Sequence, residues 1–275
     1  MKRVMNIHPN LLGKVLLGIL PFILTLIVYM WASESRLEIN PNDKLTPSFT
    51  TIGDAIQRMA FEPSKRTGDY LLWSDTLASL QRLSFGVAIA ALAGLIIGLF
   101  NGTIPLVRAN LSPYVTTLSL IPPMAILPIL FIIFGLGELS KVMLIVIGIT
   151  PFIMRDLQAR ALELPAEQLI KAQTLGASTW QVMLRVIVPQ ILPRLIEAVR
   201  LSLGPAWLFL IAAEAIAAEQ GLGYRIFLVR RYLSMDVILP YVVWITFLAF
   251  LTDWLLRQIS SRAFPWFHDQ TGGKS

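Results

Sequence analysis

The chain has no cysteine, only two histidines, and few charges for its length. Without cysteine among 275 residues there can be no disulfide, thiolate metal site or cysteine nucleophile, although this absence selects no compartment. The histidines, His8 and His268, fall in the two tails, where solvated bystanders are expected. No apolar run holds a His, Cys or metal-ligating cluster, so an intramembrane enzyme is not expected and no catalytic or metal residue is assigned. No Gly-rich lysine loop of the Walker type occurs, so the chain is not expected to bind ATP itself. Neither an internal repeat of 20 to 50 residues nor a low-complexity tract is visible.

The scarcity of charge is the positive clue. Charged residues make up 15% of the chain, hydrophobic residues 55%, and the mean hydropathy is +0.67, outside the balance of an ordinary soluble domain. Uncharged intervals run over 15–33, 83–107, 109–137, 142–154, 201–213 and 237–252. A bilayer-spanning helix needs about 20 mostly apolar residues, so an all-α polytopic membrane bundle of about six spans is expected. The intervals 142–154 and 201–213 are too short alone and must extend through Ser140, Glu197, Arg200 or Glu214. Such charges either snorkel at helix ends or form a polar path facing other helices or water.

Lys2, Arg3 and Lys14 precede the first span, which puts the N-terminus in the cytoplasm by the positive-inside rule. Alternation then places 33–82 outside, with 6 basic against 7 acidic residues, and 155–200 inside, with 6 basic against 4 acidic. Arg257, Arg262 and Lys274 also fall inside, so both termini are read as cytoplasmic. The net charge of +6 is therefore a topology signal rather than a nucleic-acid footprint. The first apolar run continues to Trp31 with no small-residue cleavage site, which reads as an anchor rather than a cleaved signal peptide.

Four regions follow: an anchor helix over 1–32, an outer segment over 33–82, a core over 83–262 with an inner loop at 156–192, and a tail over 263–275. In the outer segment Ile52, Ala55, Ile56, Met59 and Ala60 are apolar at helical spacing, as in an amphipathic helix lying on the outer face. The second span carries Gly86, Gly94 and Gly98, a small-residue spacing that lets helix backbones approach closely. Pro113, Pro122, Pro123 and Pro128 in the third interval predict a broken, protein-enclosed helix, because each proline removes a backbone donor that lipid cannot replace.

The inner loop contains KAQTLGASTWQVMLRVIVP. Pro165 can occupy a first helical turn, and Gly176 can close that helix in a left-handed cap. Ser178 and Gln181 form a capping-box pair that opens a second helix, and Pro189 is expected to stop it. By spacing alone this is also an ordinary helix-turn-helix connection. For a polar path the candidates are Ser202, Trp207, Glu214 and Glu219 on or beside the fifth span, with Thr117 and Met124 from the broken third. Trp207 and Met124 equally suit core packing. The Gly-Leu-Gly at 221–223 predicts a tight external turn.

The loop resembles that of the permease subunits of bacterial ABC importers, patterned Glu-Ala-Ala, three residues, Gly, nine residues, Ile-x-Leu-Pro. The match lies at Ala172, Gly176, Val186, Val188 and Pro189, with the glycine-to-proline spacing of 13 intact, while Ile170 and Lys171 replace the leading Glu and first Ala. Over roughly 70–265, IPPMAILPILFIIFGLGELSKV, TLGASTWQVMLRVIVPQILP and AEAIAAEQGLGYRI look like the nitrate/sulfonate/taurine/bicarbonate-type permeases. The resemblance implies a type I ABC importer permease fold in the bacterial inner membrane. It also implies a second permease copy, two ABC ATP-binding subunits that carry the ATP and magnesium, and an extracytoplasmic solute-binding protein. The helix at about 165–176 would be the coupling helix, with Ala172, Leu175 and Ala177 as a small apolar face, Glu167 and Lys171 at its rim, and Ser178, Val186 and Pro189 completing the loop. The implied cargo is a small polar solute, oxyanion-like or nitrogenous. Its charge stays open, since a carboxylate such as Glu214 in the path would not favour an anion unless paired or protonated. The alternative is a self-sufficient secondary transporter or channel using Glu214, Glu219 and Asp253, although such carriers usually show internal symmetry.

Overall fold

A computed structural model describes residues 10–40, 43–65 and 68–267. Lys2, Arg3, Arg66, Lys274 and both histidines, used in the charge and tail readings, lie outside the described residues. Those residues form helices and no strand: α1 (Leu11–Ile39), α2 (Phe49–Ala60), α3 (Leu71–Thr103), α4 (Pro105–Ser119), α5 (Pro123–Phe134), α6 (Glu138–Leu162), α7 (Ala166–Thr174), α8 (Thr179–Val182), a π-helical turn (Met183–Ile187), α9 (Val188–Ala217), α10 (Leu222–Arg230) and α11 (Met235–Ala263).

Five continuous helical stretches are long and apolar enough to cross a membrane, and α4 with α5 make a sixth span bent by 95°. This matches the six uncharged intervals. The helices reach further than the intervals: α6 takes in Ser140, and α9 takes in Glu197, Arg200 and Glu214. α1 continues past residue 32, and α3 begins at Leu71, so the division at residue 82 falls inside a helix. The bent span is broken as expected, at Leu120–Pro122. It is not enclosed by its own chain, because Leu118, Leu120, Ile121, Ile132 and Ile133 are all exposed. The prolines create the bend, and covering its surface falls to lipid or another subunit.

The central packing is α3 against α6. A Cβ placed on Gly86 would lie 2.8 Å from Ile145, one on Gly94 2.5 Å from Ile153, and one on Gly98 2.9 Å from Leu157, while Gly102 abuts Ala161. Each pair is a constant 59 positions apart, so the two helices run parallel in register. The smooth glycine face lets the branched side chains of α6 seat directly on the α3 backbone. Gly94→Ala is therefore expected to cost about 1–3 kcal/mol, the range for overfilling a packed site. Thermal unfolding of the purified protein checks this, and a value indistinguishable from wild type would refute the close approach.

α2 forms the expected helix, with Ala55 and Ala60 of its apolar positions buried and Ile56 exposed, and its Ser48 cap accepts the Thr51 N–H. α1 stands apart from the bundle. Its described polar ties to the rest of the chain are Tyr29 and Ser33 hydroxyls donating to the Pro47 and Thr46 carbonyls, and Arg36 bonded to Asp43.

Candidate functional site

Two constructions stand out, one at each end of the bundle. At the end that the charge rule reads as external, Asp75, Ser79 and Arg82 occupy one face of α3, since positions four and seven apart share a helix face. Asp75 and Ser79 are fully enclosed and Arg82 is buried. They meet Glu214 of α9, which has no exposure at all. Arg82 Nη1 donates to Glu214 Oε1 at 2.7 Å and to the Gln220 carbonyl at 2.8 Å, and the Ser79 hydroxyl donates to Glu214 at 2.8 Å. The remaining edge of the Arg82 guanidinium pairs with Glu138 of α6, which also takes Lys141 Nζ at 2.8 Å.

The same cluster receives the start of α10. The Gly221 N–H donates to Asp75, the Leu222 N–H to the Ser79 oxygen and the Gly223 N–H to Glu214 Oε2, each at 2.9 Å. A helix start carries unsatisfied N–H groups and partial positive charge, and three side chains from α3 and α9 satisfy both. Glycine is required here. A Cβ on Gly221, whose φ is +133°, would lie 2.5 Å from the Glu214 carboxyl carbon, and one on Gly223 would lie 2.6 Å from the Ile211 carbonyl oxygen. The Gly-Leu-Gly is thus more than an external turn: it opens a helix folded back into the bundle. Arg225 and the Tyr241 hydroxyl close the cluster on Asp75 at 2.8 and 3.1 Å. The buried Asp75 and Glu214 face Arg225 and Arg82, and the exposed Glu138 reaches in to Arg82 and the buried Lys141, so each buried charge has a partner of opposite sign, as burial away from water demands.

Beside this junction lies a polar cavity of about 610 Å³ lined by Arg82, Glu138, Lys141, Glu219 and Gln220 among others. Glu219 is exposed there. Sequence reasoning counted Asp75 and Arg82 as loop charges and passed over Ser79, Glu138, Lys141, Arg225 and Tyr241. The spacing of Asp75, Ser79 and Arg82 is the signal that could have joined the first three.

At the other end, α7 hangs off α6 and closes in the expected left-handed turn. Gly176 has φ +84°, its N–H reaches the Gln173 carbonyl at 2.9 Å, and the Ala177 N–H reaches the Ala172 carbonyl at 3.1 Å. This pair of bonds is the Schellman arrangement, in which the flanking residues touch. Ala172 and Ala177 accordingly turn inward and pack on the core. The expected outward face of Ala172, Leu175 and Ala177 is therefore split: Leu175 is 88% exposed and Ile170 joins it at 56%. Glu167 and Lys171 are exposed on α7. Ser178 and Gln181 form the full capping box.

Pro189 does not stop the helix. The chain runs on from Thr179 to Ala217 as one 39-residue stretch, because the π turn over Met183–Ile187 precedes the proline and the Val188 N–H reaches the Met183 carbonyl. That wider turn relieves the clash between a proline ring and the carbonyl four residues back. Val186 is half-buried within the π turn.

The other path candidates are not brought together. Thr117 is exposed and bonds the Pro113 carbonyl, and Met124 is exposed on α5. Ser202 is buried, bonds the Ala198 carbonyl and borders a small cavity with Asp156. Trp207 is buried in the core, with its indole N–H unpartnered. Arg200 neither snorkels nor stands alone, since it grips Asp253 of α11 through two 2.8 Å bonds.

Comparison with known proteins agrees with this architecture. Residues 82–264 match the family described as binding-protein-dependent transport system inner membrane component. The taurine transport system permease protein of Escherichia coli (strain K12) is 37% identical over 198 residues, covering 72% of each chain. The putative aliphatic sulfonates transport permease protein of Bacillus subtilis (strain 168) is 29% identical, covering 73% of each. Among solved structures, a chain of the MetNI methionine ABC transporter in an inward-facing form superposes with a TM-score of 0.63 at 23% identity, over 72% of this chain and 98% of that one. Six candidate spans with a bent third, a capped loop at one end and a family match across the whole core place this chain in the binding-protein-dependent inner membrane components, the permease subunits of ABC importers.

Proposed function

We propose that this chain is the translocation subunit of an ATP-driven importer, working as one of two copies with two separate ATP-binding subunits and an extracytoplasmic solute-binding protein. The observation that carries the coupling reading is the inner loop. A short helix, closed by its own hydrogen bonds, holds two large apolar side chains, Ile170 and Leu175, away from the bundle. An exposed leucine on a rigid, capped turn is an anchor in search of a pocket. Motion of the ATP-binding subunit would pass through α7 to α6 and, through α8 and the π turn, to α9. Glu167 and Lys171 would form the polar rim of that contact.

The relatives' names support a small polar solute, sulfonate-like, oxyanionic or nitrogenous. The path is proposed between the two copies, with Ser202, Thr117 and Met124 among the groups available to it and Glu219 at the outer mouth. Cytoplasmic termini follow from the charge rule. A self-sufficient carrier is less well supported, because Glu214 and Asp253 are each occupied by an arginine.

The test is co-purification of the tagged chain from its native membrane in mild detergent. An ATP-binding subunit and a solute-binding protein are expected to come with it, and the latter's ligand would identify the cargo. A stable chain recovered alone, and able to drive uptake in liposomes from an ion gradient, would overturn the reading.

A further inference from the structure

Arg155 lies on α6, about 10 Å along the axis from that helix's end at Leu162, within a segment long and apolar enough to cross a membrane. It is exposed, and none of the ion pairs among the described residues includes it. Arg82, Arg160, Arg194, Arg200 and Arg225 differ, since each has a carboxylate partner. The adjacent Asp156 does not serve Arg155: it sits 3.7 Å from Arg160 and borders the small cavity beside Ser202 of α9.

Arg155 is aimed instead at the bent span. Its Nη1 donates to the Ser119 hydroxyl oxygen at 3.0 Å, and that hydroxyl gives its own proton to the Thr116 carbonyl at 2.7 Å. Ser119 lines a cavity of about 360 Å³ between α4, α5 and α6, together with Tyr114, Leu118 and Thr150. Pro151 and Phe152, also in its wall, precede Arg155 by four and three positions and share its helix face. An arginine in a spanning segment is costly against lipid and is placed against water or a partner. Among the described residues no carboxylate supplies that partner.

We propose that Arg155, held by Ser119, is a specificity-determining residue of the translocation path and takes the negatively charged head of the cargo as it passes the bend of the third span. This deepens the importer reading and rests on its path between two copies, because Thr117 and Met124, assigned to that path, flank the same bend. Of the proposed cargo classes it selects sulfonate-like solutes and oxyanions over cationic nitrogenous ones. Ser119 engages one of the five N–H donors of a guanidinium, and the planar fork matches two oxygens of such a head at once. Glu214, the carboxylate that would oppose an anion, is held by Arg82 and has no exposure.

The test uses the assembled complex, with its ATP-binding subunit and solute-binding protein, in proteoliposomes. The chain has no native cysteine, so Leu118→Cys puts its single thiol in the cavity wall beside Ser119 with Arg155 intact. Labelling of this chain is followed by mass spectrometry with the anionic sulfonatoethyl methanethiosulfonate and the cationic trimethylammonioethyl methanethiosulfonate, each rate divided by that reagent's rate with free cysteine. The anionic reagent is expected to be favoured at least tenfold. Arg155→Gln in the same background should abolish the preference, whereas Arg155→Lys should keep most of it. No preference in the Leu118→Cys protein, a preference that survives Arg155→Gln, or no reaction with either water-soluble reagent would each overturn the proposal. So would a solute-binding protein, recovered with the chain, whose ligand carries no negatively charged group. In all of these cases an assembled complex with ATP-coupled uptake would leave the importer reading standing.

Discussion

The Glu214→Ala variant is expected to lose about 3–5 kcal/mol of stability, the cost of breaking a buried ion pair from one side. Truncation leaves Arg82, 7% exposed in its side chain, without one of its two carboxylates. It also strips an acceptor from Ser79 and from the Gly223 N–H, and a buried donor left unpaired is costly. The loss should appear as a large fall in the thermal unfolding midpoint of the detergent-purified protein and in the amount recovered from the membrane. Glu214→Gln should fall between, because an amide keeps one acceptor oxygen for Arg82 but turns its NH₂ toward the Gly223 N–H, donor against donor. These measurements separate two roles. If Glu214 served only as a path carboxylate, uptake would fall while unfolding stayed unchanged, and the junction would not be the structural clamp described above.

The Gly176→Leu variant is expected to do the opposite, abolishing ATP-linked uptake with little loss of the folded protein. A Cβ at this position meets nothing within 4 Å, so no clash follows. The φ of +84° does disfavour any side chain, by about 1–2 kcal/mol. That cost falls on one exposed turn rather than on the core. The turn relaxes, the Gln173 and Ala172 carbonyls lose their bonds, and Leu175 is no longer presented in one place. ATP hydrolysis and uptake measured together in proteoliposomes should show hydrolysis without transport, or neither. Normal coupled uptake by this variant would remove the docking role assigned to α7. Leu175→Asp, which leaves the backbone untouched, should weaken association with the ATP-binding subunit, and unchanged co-purification would count against the same assignment.

Much of the loop around α7 was legible in the residues because capping is local. Gly176, Ser178 and Gln181 act on backbone groups within five positions, so their roles follow from spacing. The inward turn of Ala172 and Ala177 was missed because the Schellman bonds, and not the small size of the side chains, decide which way they point. Pro189 was misread for a related reason: proline ends a helix of regular pitch, and the π turn ahead of it changes the pitch.

The junction of α3, α9 and α10 was not legible as a unit. Its ion pairs join residues 132 and 150 positions apart, and no local rule connects such positions. Asp75 and Arg82 looked like loop charges because the apolar run starts after them, although the helix starts before. The Arg200–Asp253 pair, 53 positions apart, was likewise divided between an arginine left open to snorkelling or a polar path and an acid considered only for a self-sufficient carrier.

By itself, then, the amino-acid sequence determined that this protein crosses a membrane about six times, that the third span breaks, and that a capped loop projects from one end. Run length, proline and caps are effects felt within a helical turn or two. Only the tertiary structure decided which charges neutralise one another, that α3 and α6 run in register along a glycine seam, and that α10 folds back onto Asp75, Ser79 and Glu214. A buried charge or a bare backbone N–H must find a partner, and which partner it finds depends on how the helices are brought together.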